Sequence, residues 1–186
     1  MSPERSLSGG LQGPNEARFL ICRRIQWPIL TCPVDRATDT KFGLHISDKP
    51  TEKIFKTAVV LERDFRIPAG APEFAAKKIL SIKKSVTLYA INPHMHFRGK
   101  FMEFEAVYSD GRREMLLSVP NYNFNWQRTY VFKEPRKLPK ETQVHIRNAW
   151  DNSANNPYNP NPKKEIRWGE QSFDEMFFAT LGYIED

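Results

Sequence analysis

The residues best suited to chemistry in this 186-residue sequence are two of its four histidines, His94 and His96. They alternate with Met95, and alternate residues of an extended strand point to the same side, so the two imidazoles should project together. Pro93 before them and Gly99 after them indicate a strand end, where a site can open to solvent. Such a pair can ligate one metal ion, although two ordinary surface or hydrogen-bonding histidines would show the same spacing.

A metal site needs a third ligand, and the two cysteines are poor candidates because Cys22 and Cys32 lie in an atypical N-terminal stretch. Met176 is the best placed of the five methionines, directly after Asp174 and Glu175 at the start of the last predicted strand. Two imidazoles and a thioether form a soft, low-coordinate set that suits Cu(I) better than zinc or magnesium. Taken alone, Met176 would be interpreted as a core residue.

The sequence contains no motif typical of the other common catalytic chemistries. It contains no GxSxG nucleophile elbow, no HExxH zinc motif, no phosphate-binding glycine loop and no GxGxxG. Asp174 and Glu175 are adjacent, so on a strand their carboxylates would point to opposite faces and could not act as a pair. His45 and His145 lie in short alternating runs and are interpreted as ordinary strand residues.

The elements that must position the histidines are predicted to be strands. Fourteen prolines, nine glycines and 12% aromatic residues favour short strands joined by turns over a helical bundle. Asp-Gly at the centre of Ser109–Arg112 predicts a hairpin, and only EFAAKKI indicates a helical turn. The predicted fold is an all-β, jelly-roll-like antiparallel β-sandwich of about eight or nine strands. Its strands are carried by KFGLHI, KTAVVLERDFRI, SVTLYAINPHMHF, FMEFEAVYSDGRREMLLSV, RTYVFKEP, TQVHIRNAW and DEMFFATLGYI.

One long segment, Asp151–Gln171, is predicted to be a loop. Residues 151–162 contain five asparagines and three prolines, and neither residue type supports a regular strand ladder. A loop of this length in a compact domain is either ordered for a functional reason or disordered, and the aromatic and glycine residues that follow favour order. Residues considered for a pocket or for ordering this loop, with ordinary core and turn packing as the stronger alternative, are Asn152, Trp168, Gln171 and Tyr183.

The chain has room for one ordinary domain or one lobe of a larger enzyme, at 21.7 kDa. Residues 1–38 are predicted to be an atypical N-terminal segment, mobile or a remnant, and residues 39–186 the β-sandwich lobe. The apolar stretch ARFLICRRIQWPILTCPV is broken by Arg23, Arg24 and Pro28, which makes it a poor signal peptide.

Charge and hydropathy argue against two classes of partner. The net charge of +6 is dispersed in basic pairs, with no helix-turn-helix or zinc-finger spacing, so no nucleic-acid partner is expected. No apolar run approaches the roughly 18 residues of a membrane-spanning helix, so no membrane partner is expected.

Five ordered motifs of the chain resemble one family. PHMHFRGK, SDGRREMLLSVPNYNFNWQ, LPK, DNSANNPYNPNP and WGEQSFDEMFF together are similar to the C-terminal lobe of the copper type II, ascorbate-dependent monooxygenases. These are the relatives of peptidylglycine α-hydroxylating monooxygenase and dopamine β-monooxygenase, and the likeness is greatest to the bacterial type. The resemblance covers about Asp39 to Tyr183.

The resemblance implies a copper site and a reaction. It implies one copper per chain, held by His94, His96 and Met176, at which O2 is activated and a substrate C–H bond is hydroxylated. It also implies a reductant such as ascorbate, a small-molecule or peptide-like organic substrate of unknown identity, and a location outside the cytosol. One of the two electrons would come through a second copper on an N-terminal lobe or from another donor.

The chain also departs from the family pattern. No adjacent His-His pair precedes His94, and Leu30–Pro33 stand where relatives carry a His-Tyr-Thr-Pro-like stretch, so the chain looks like half an enzyme. Asn92 stands where the peptide-hydroxylating branch has an arginine, which argues against a glycine-extended peptide substrate. The alternative to an enzyme is a non-catalytic copper-binding or structural sandwich that needs a partner lobe.

Overall fold

The computed structural model describes residues 52–186, which form the predicted all-β antiparallel sandwich. KFGLHI, both cysteines, His45 and the boundary predicted at residue 38 lie outside these residues. The described residues contain no helix, and so none that could cross a membrane. Their ten strands are β1 (Lys56–Glu62), β2 (Arg66–Ile67), β3 (Phe74–Ser81), β4 (Val86–His94), β5 (Gly99–Val107), β6 (Arg113–Val119), β7 (Tyr130–Leu138), β8 (Gln143–Trp150), β9 (Ile166–Arg167) and β10 (Phe177–Glu185).

Eight of the strands form two four-stranded sheets that enclose the core. The first, here called the histidine sheet, has the order β1-β10-β4-β7, and the second, the back sheet, has the order β3-β8-β5-β6. Strands β2 and β9 form a separate pair. Inward-facing apolar side chains of both sheets alternate with more exposed ones, as in other sandwiches. Fully buried members of this core include Leu88, Ile91, Phe104, Ile146, Trp150 and Phe177.

The hairpin predicted at Ser109–Arg112 is confirmed. It joins β5 to β6, and Tyr108 and Arg112 close it with a backbone hydrogen bond of 2.9 Å from the nitrogen of Tyr108. Gly111 has a φ of 85°, a left-handed conformation that glycine adopts without steric cost.

The helical turn suggested by EFAAKKI is wrong, because these residues form β3. Phe74, Ala76 and Leu80 are half-buried, whereas the residues that alternate with them are exposed. This two-residue period is typical of a strand. Residues 74–81 pair with β8 along their whole length. This long ladder outweighs the weak helical preference of two adjacent alanines.

The segment KTAVVLERDFRI, predicted as one strand, is split into β1 and β2. The side chain of Glu62 accepts hydrogen bonds from the backbone nitrogens of Arg63 and Asp64, both at 2.9 Å, and so bends the chain. Phe65 then turns inward and stacks on Trp150 with a centroid distance of 4.6 Å. The break therefore exchanges strand pairing for an aromatic contact in the core.

Candidate metal centre

His94 and His96 lie side by side at one end of the histidine sheet. Their ring centroids are 5.1 Å apart and their planes are nearly perpendicular, at 88°. His94 is the last residue of β4 and is half-buried, while His96 lies in the turn to β5 and is only 4% exposed. The strand end therefore brings two imidazoles within reach of a single small ion.

Hydrogen bonds orient the two imidazole rings. His94 Nδ1 lies 2.6 Å from Gln127 Oε1, and Gln127 Nε2 donates to the carbonyl of Phe124 at 2.9 Å, so the oxygen of Gln127 is the acceptor for His94. His96 Nδ1 lies 3.3 Å from the carbonyl oxygen of Asp174. Nδ1 of each ring therefore faces a hydrogen-bond acceptor, and the backbone of Gln171 is a further hydrogen-bonding partner of the His96 ring. Fixing one ring nitrogen in this way is how proteins orient metal-ligating histidines.

The surroundings of both rings favour their neutral form. Burial lowers the pKa of His94, and burial together with the neighbouring His94 lowers the pKa of His96 to about 4. Phe178 packs against His94 with a centroid distance of 5.8 Å, and Phe124 against His96 at 6.0 Å. Near neutral pH both imidazoles are uncharged, which is the protonation state that binds a metal ion.

The turn that carries His96 is held by a buried carboxylate. Glu175 is completely buried, and its Oε2 accepts from the backbone nitrogens of His96 at 2.9 Å and Met176 at 3.3 Å. Its Oε1 accepts from the backbone nitrogen of Arg98 at 2.6 Å. Burial raises the pKa of Glu175 to about 7, although these three donors and the charge of Arg98 act in the opposite direction. Glu175 thus joins the start of β10 to the histidine turn.

Met176 lies on the same face of the histidine sheet as His94. Burial alternates from Glu175 to Ala179, with Glu175, Phe177 and Ala179 inward, so Met176 and Phe178 face the other way. Phe178 is the register partner of His94 in the β4–β10 ladder. Met176 and His94 therefore lie on one face at the same end of the sheet, next to the turn that carries His96.

The donor types available limit the metal that could bind. Among residues 52–186, no group of three or more His, Cys, Asp or Glu side chains is arranged to hold a metal ion. Met176 is the third ligand that the sequence predicts for a metal at the histidine pair. Two neutral imidazoles and a thioether fit Cu(I) and are a poor set for Mg²⁺ or Ca²⁺, which prefer oxygen.

A second buried network fixes the loop beneath the site. Arg98 is 1% exposed, and its Nε donates to Asn152 Oδ1 at 2.9 Å while its Nη1 donates to the carbonyl of Phe173 at 2.8 Å. Asn152 Nδ2 in turn donates to the carbonyls of Pro68 at 2.8 Å and Lys164 at 2.9 Å. Asn152, proposed from the sequence as a possible loop-ordering residue, therefore bonds across the loop that contains it.

Tyr122 holds the residue between the two histidines. Its hydroxyl accepts from the backbone nitrogen of Met95 at 3.0 Å and donates to the carbonyl oxygen of Met95 at 2.7 Å. A side chain at Gly99 would collide with the Tyr122 ring, whose nearest carbon is 2.5 Å from the position of a Cβ. The glycine after the histidines thus makes room for the tyrosine that fixes their backbone.

Sequence reasoning missed Gln127, Glu175, Arg98 and Tyr122 as supports of the histidine pair. The available signal was Glu175, a charged residue two positions before the aromatic pair Phe177 and Phe178. Of the other residues considered for a pocket, Trp168 packs half-buried against the core, Gln171 is exposed, and Tyr183 lies at the opposite end of the sheet.

Comparison with protein-family models and with curated proteins finds no match to this chain.

Proposed function

We propose that this chain supplies the oxygen-activating copper site of a monooxygenase, which hydroxylates an organic substrate with O2 and an external reductant. The observation that supports it best is the pair of neutral imidazoles, 5.1 Å apart, each with Nδ1 facing a hydrogen-bond acceptor. Met176, on the face of His94, would add the soft ligand that favours the reduced ion.

Each residue of the centre has a distinct task in this proposal. His94 and His96 would bind the metal through Nε2, while Gln127 and the carbonyl of Asp174 keep the proton on Nδ1 and fix the ring planes. Glu175 holds the turn so that the two rings keep their separation. A copper ion held there would supply one-electron chemistry with O2, which amino-acid side chains lack.

The overall reaction sets what the chain must obtain from elsewhere. One oxygen atom of O2 enters the C–H bond of the substrate as a hydroxyl group, and the other leaves as water, with two electrons and two protons consumed. A single copper supplies one electron, so the proposal requires a reductant such as ascorbate and a second donor, for example an N-terminal copper lobe. Asn92 bonds through its amide to Thr129 and brings no charge near the site, so no substrate carboxylate is required.

The first test is anaerobic titration of the full chain with Cu(I), followed by X-ray absorption. We expect one copper per chain with two nitrogen scatterers and one sulfur scatterer. His96→Ala should abolish tight binding, whereas the control His145→Ala, a histidine on the back sheet, should not. Absence of binding, or binding unchanged in His96→Ala, would exclude the site.

The second test asks whether the bound copper performs chemistry. The copper-loaded chain is incubated with ascorbate, isotopically labelled O2 and a mixture of small organic molecules and peptides, and labelled hydroxyl products are sought by mass spectrometry. A product that forms with the wild type and not with His96→Ala supports the proposal. Copper binding without any labelled product would favour the alternative, a non-catalytic copper-binding lobe that needs a partner.

A further inference from the structure

A cavity of about 410 Å³ opens between the two sheets at the end of the sandwich opposite the histidines. Val86, the first residue of β4, lines it, whereas His94 is the last residue of the same strand. All four strands of the histidine sheet contribute to its wall, and the end of β3 with the following turn closes the other side.

The floor of the cavity is made of core leucines. Leu88 and Leu138 are each 1% exposed and Leu181 is 2% exposed, so the cavity reaches the interior of the sandwich. Small-molecule sites of proteins typically have volumes of roughly 300–1,000 Å³, mostly apolar walls and a few polar groups. Apolar cavities take up apolar molecules in preference to water. The floor therefore suits a hydrocarbon group.

The mouth of the cavity carries positive charge. Lys83 and Lys84 line it together with Glu185, whose carboxylate lies 2.9 Å from the amine of Lys56 and 3.8 Å from that of Lys84. Lys83 is exposed and forms no ion pair with any residue in 52–186. A shallow depression beside the mouth shares Lys83 and adds Lys140 and Glu141. With Glu185 already bonded to Lys56, Lys83 is a cation available to a ligand.

We propose that this cavity binds an amphiphile with a single hydrocarbon chain and an anionic head group, namely a medium-chain fatty acid. The chain lies against Leu88, Leu138 and Leu181, where it gains the free energy of leaving water. The carboxylate remains at the mouth and pairs with Lys83. A purely apolar ligand would forgo this ion pair, and a cationic head group would be repelled.

The cavity is separate from the candidate metal centre. Leu88 and His94 are six residues apart on one extended strand, which corresponds to about 20 Å. Binding of a fatty acid therefore does not depend on copper, and a failure of either proposal leaves the other standing.

The test is calorimetric titration of the full chain with decanoate below its micelle concentration. Two comparison ligands separate the contributions of chain and charge. Butyrate has the same carboxylate but a chain too short to fill the cavity, and decyltrimethylammonium has the same chain length but a positively charged head group. We expect one decanoate per chain, with both comparison ligands at least roughly tenfold weaker. No binding of decanoate, or equal binding of decyltrimethylammonium, would overturn the proposal.

Three variants tie the binding to this cavity. Lys83→Glu should weaken decanoate binding by roughly tenfold or more, whereas Lys163→Glu, the same charge change in the Asn/Pro-rich loop, should leave it unchanged. Ala58→Leu, which places extra carbon in the cavity, should weaken binding while the protein keeps its melting temperature. Decanoate binding that neither Lys83→Glu nor Ala58→Leu alters would place the ligand elsewhere and overturn the proposal. A dimer that binds no decanoate and that Ala58→Leu disrupts would also overturn the proposal, because a second copy of the chain would then cover the cavity.

Discussion

The carboxylate of Glu175 lies 2.9 Å from the backbone nitrogen of His96, although the two residues are 79 positions apart in the sequence. The same carboxylate binds the backbone nitrogen of Arg98 at 2.6 Å. The turn that follows β4 is thus shaped by a side chain that lies two residues before β10, and not by its own residues alone. Position and orientation of His96 therefore depend on a residue that contributes no metal ligand.

Glu175→Gln should destabilise the protein and loosen the histidine pair. A glutamine has one acceptor oxygen, so its amide group would face a backbone N–H that has lost its partner in a site closed to water. We expect the free energy of unfolding to fall by about 2 kcal/mol and Cu(I) affinity to fall by roughly tenfold. Chemical denaturation of the copper-free protein and competitive Cu(I) titration measure the two effects.

The matched control for this change is Glu165→Gln. Glu165 is exposed and bonds to Arg167 at 3.0 Å, an arrangement that contributes little to stability. We expect Glu165→Gln to change the free energy of unfolding by less than about 0.5 kcal/mol. Equal denaturation midpoints for Glu175→Gln and the wild type would show that the buried carboxylate does not hold the turn.

Met176→Ile should weaken Cu(I) binding much more than Cu(II) binding. The thioether is a soft donor that stabilises the reduced ion, while the two imidazoles serve both oxidation states. Paired titrations under anaerobic and aerobic conditions compare the two affinities. Met115→Ile, at an exposed methionine of β6, is the control and should leave both affinities unchanged. Equal losses for Cu(I) and Cu(II) in Met176→Ile would contradict the assignment of Met176 as a soft ligand.

His94→Ala and His96→Ala should both keep the fold and should differ in how much stability they cost. His94 is half-buried, so its loss should lower the free energy of unfolding of the copper-free protein by about 1 kcal/mol. His96 is 4% exposed and contacts Phe124, so its loss leaves a space and should cost about 2 kcal/mol. Denaturation curves and circular dichroism measure this, and loss of the folded baseline in either variant would show that the pair is structural.

Residues 151–171, predicted as a loop, also contain the short strand β9, and Asn152→Ala should destabilise this segment and the residues it contacts. The change removes the acceptor of Arg98 Nε in a buried hydrogen bond and the donor to the carbonyls of Pro68 and Lys164 in two partly buried ones. We expect a loss of about 2–3 kcal/mol, because a buried guanidinium is left partly unpaired. The measurement is denaturation together with the rate of proteolysis within the loop. The control Asn155→Ala removes an exposed side chain, and if it matched Asn152→Ala in both measurements the network would have no special role.

The sequence was sufficient to predict the sandwich and the pairing of its histidines. Alternation of apolar residues and the Asp-Gly turn are local signals, and each determines an element directly. Strand alternation predicted that His94 and His96 lie together, but His96 lies in the turn after β4, where Glu175 holds its backbone. The strand and hairpin predictions needed no knowledge of which strands are neighbours.

The supports of the site could not be predicted, because they come from residues far apart in the sequence. Gln127 reaches His94 from 33 positions away and Asn152 reaches Arg98 from 54 positions away. Only the sheet order brings them together, and no local pattern encodes that order. The error at EFAAKKI has the same origin, since its ladder with β8 overrides the local preference.

The pKa values of Glu175 and His96 predict opposite effects of acid on the copper-free protein. Glu175 has a pKa of about 7 when folded against 4.5 as a reference, so the folded state retains a proton that the unfolded chain releases between these values. Its contribution to stability is therefore lost as pH rises from 4.5 to 7. His96 has a pKa of about 4 against 6.5, so the unfolded chain binds a proton first, and stability is lost as pH falls from 6.5 to 4.

Removing one of the two groups should expose the effect of the other. Relative to the wild type, Glu175→Gln should lose stability more steeply as pH falls from 7 to 4.5, and His96→Asn should lose it less steeply between 6.5 and 4. Each difference should approach about 3 kcal/mol over its window. Denaturation of the copper-free proteins at a series of pH values measures it. If the stability of both variants changed with pH in the same way as that of the wild type, the pKa values of Glu175 and His96 would be the same in the folded and unfolded states. Burial of these two groups would then have no electrostatic consequence.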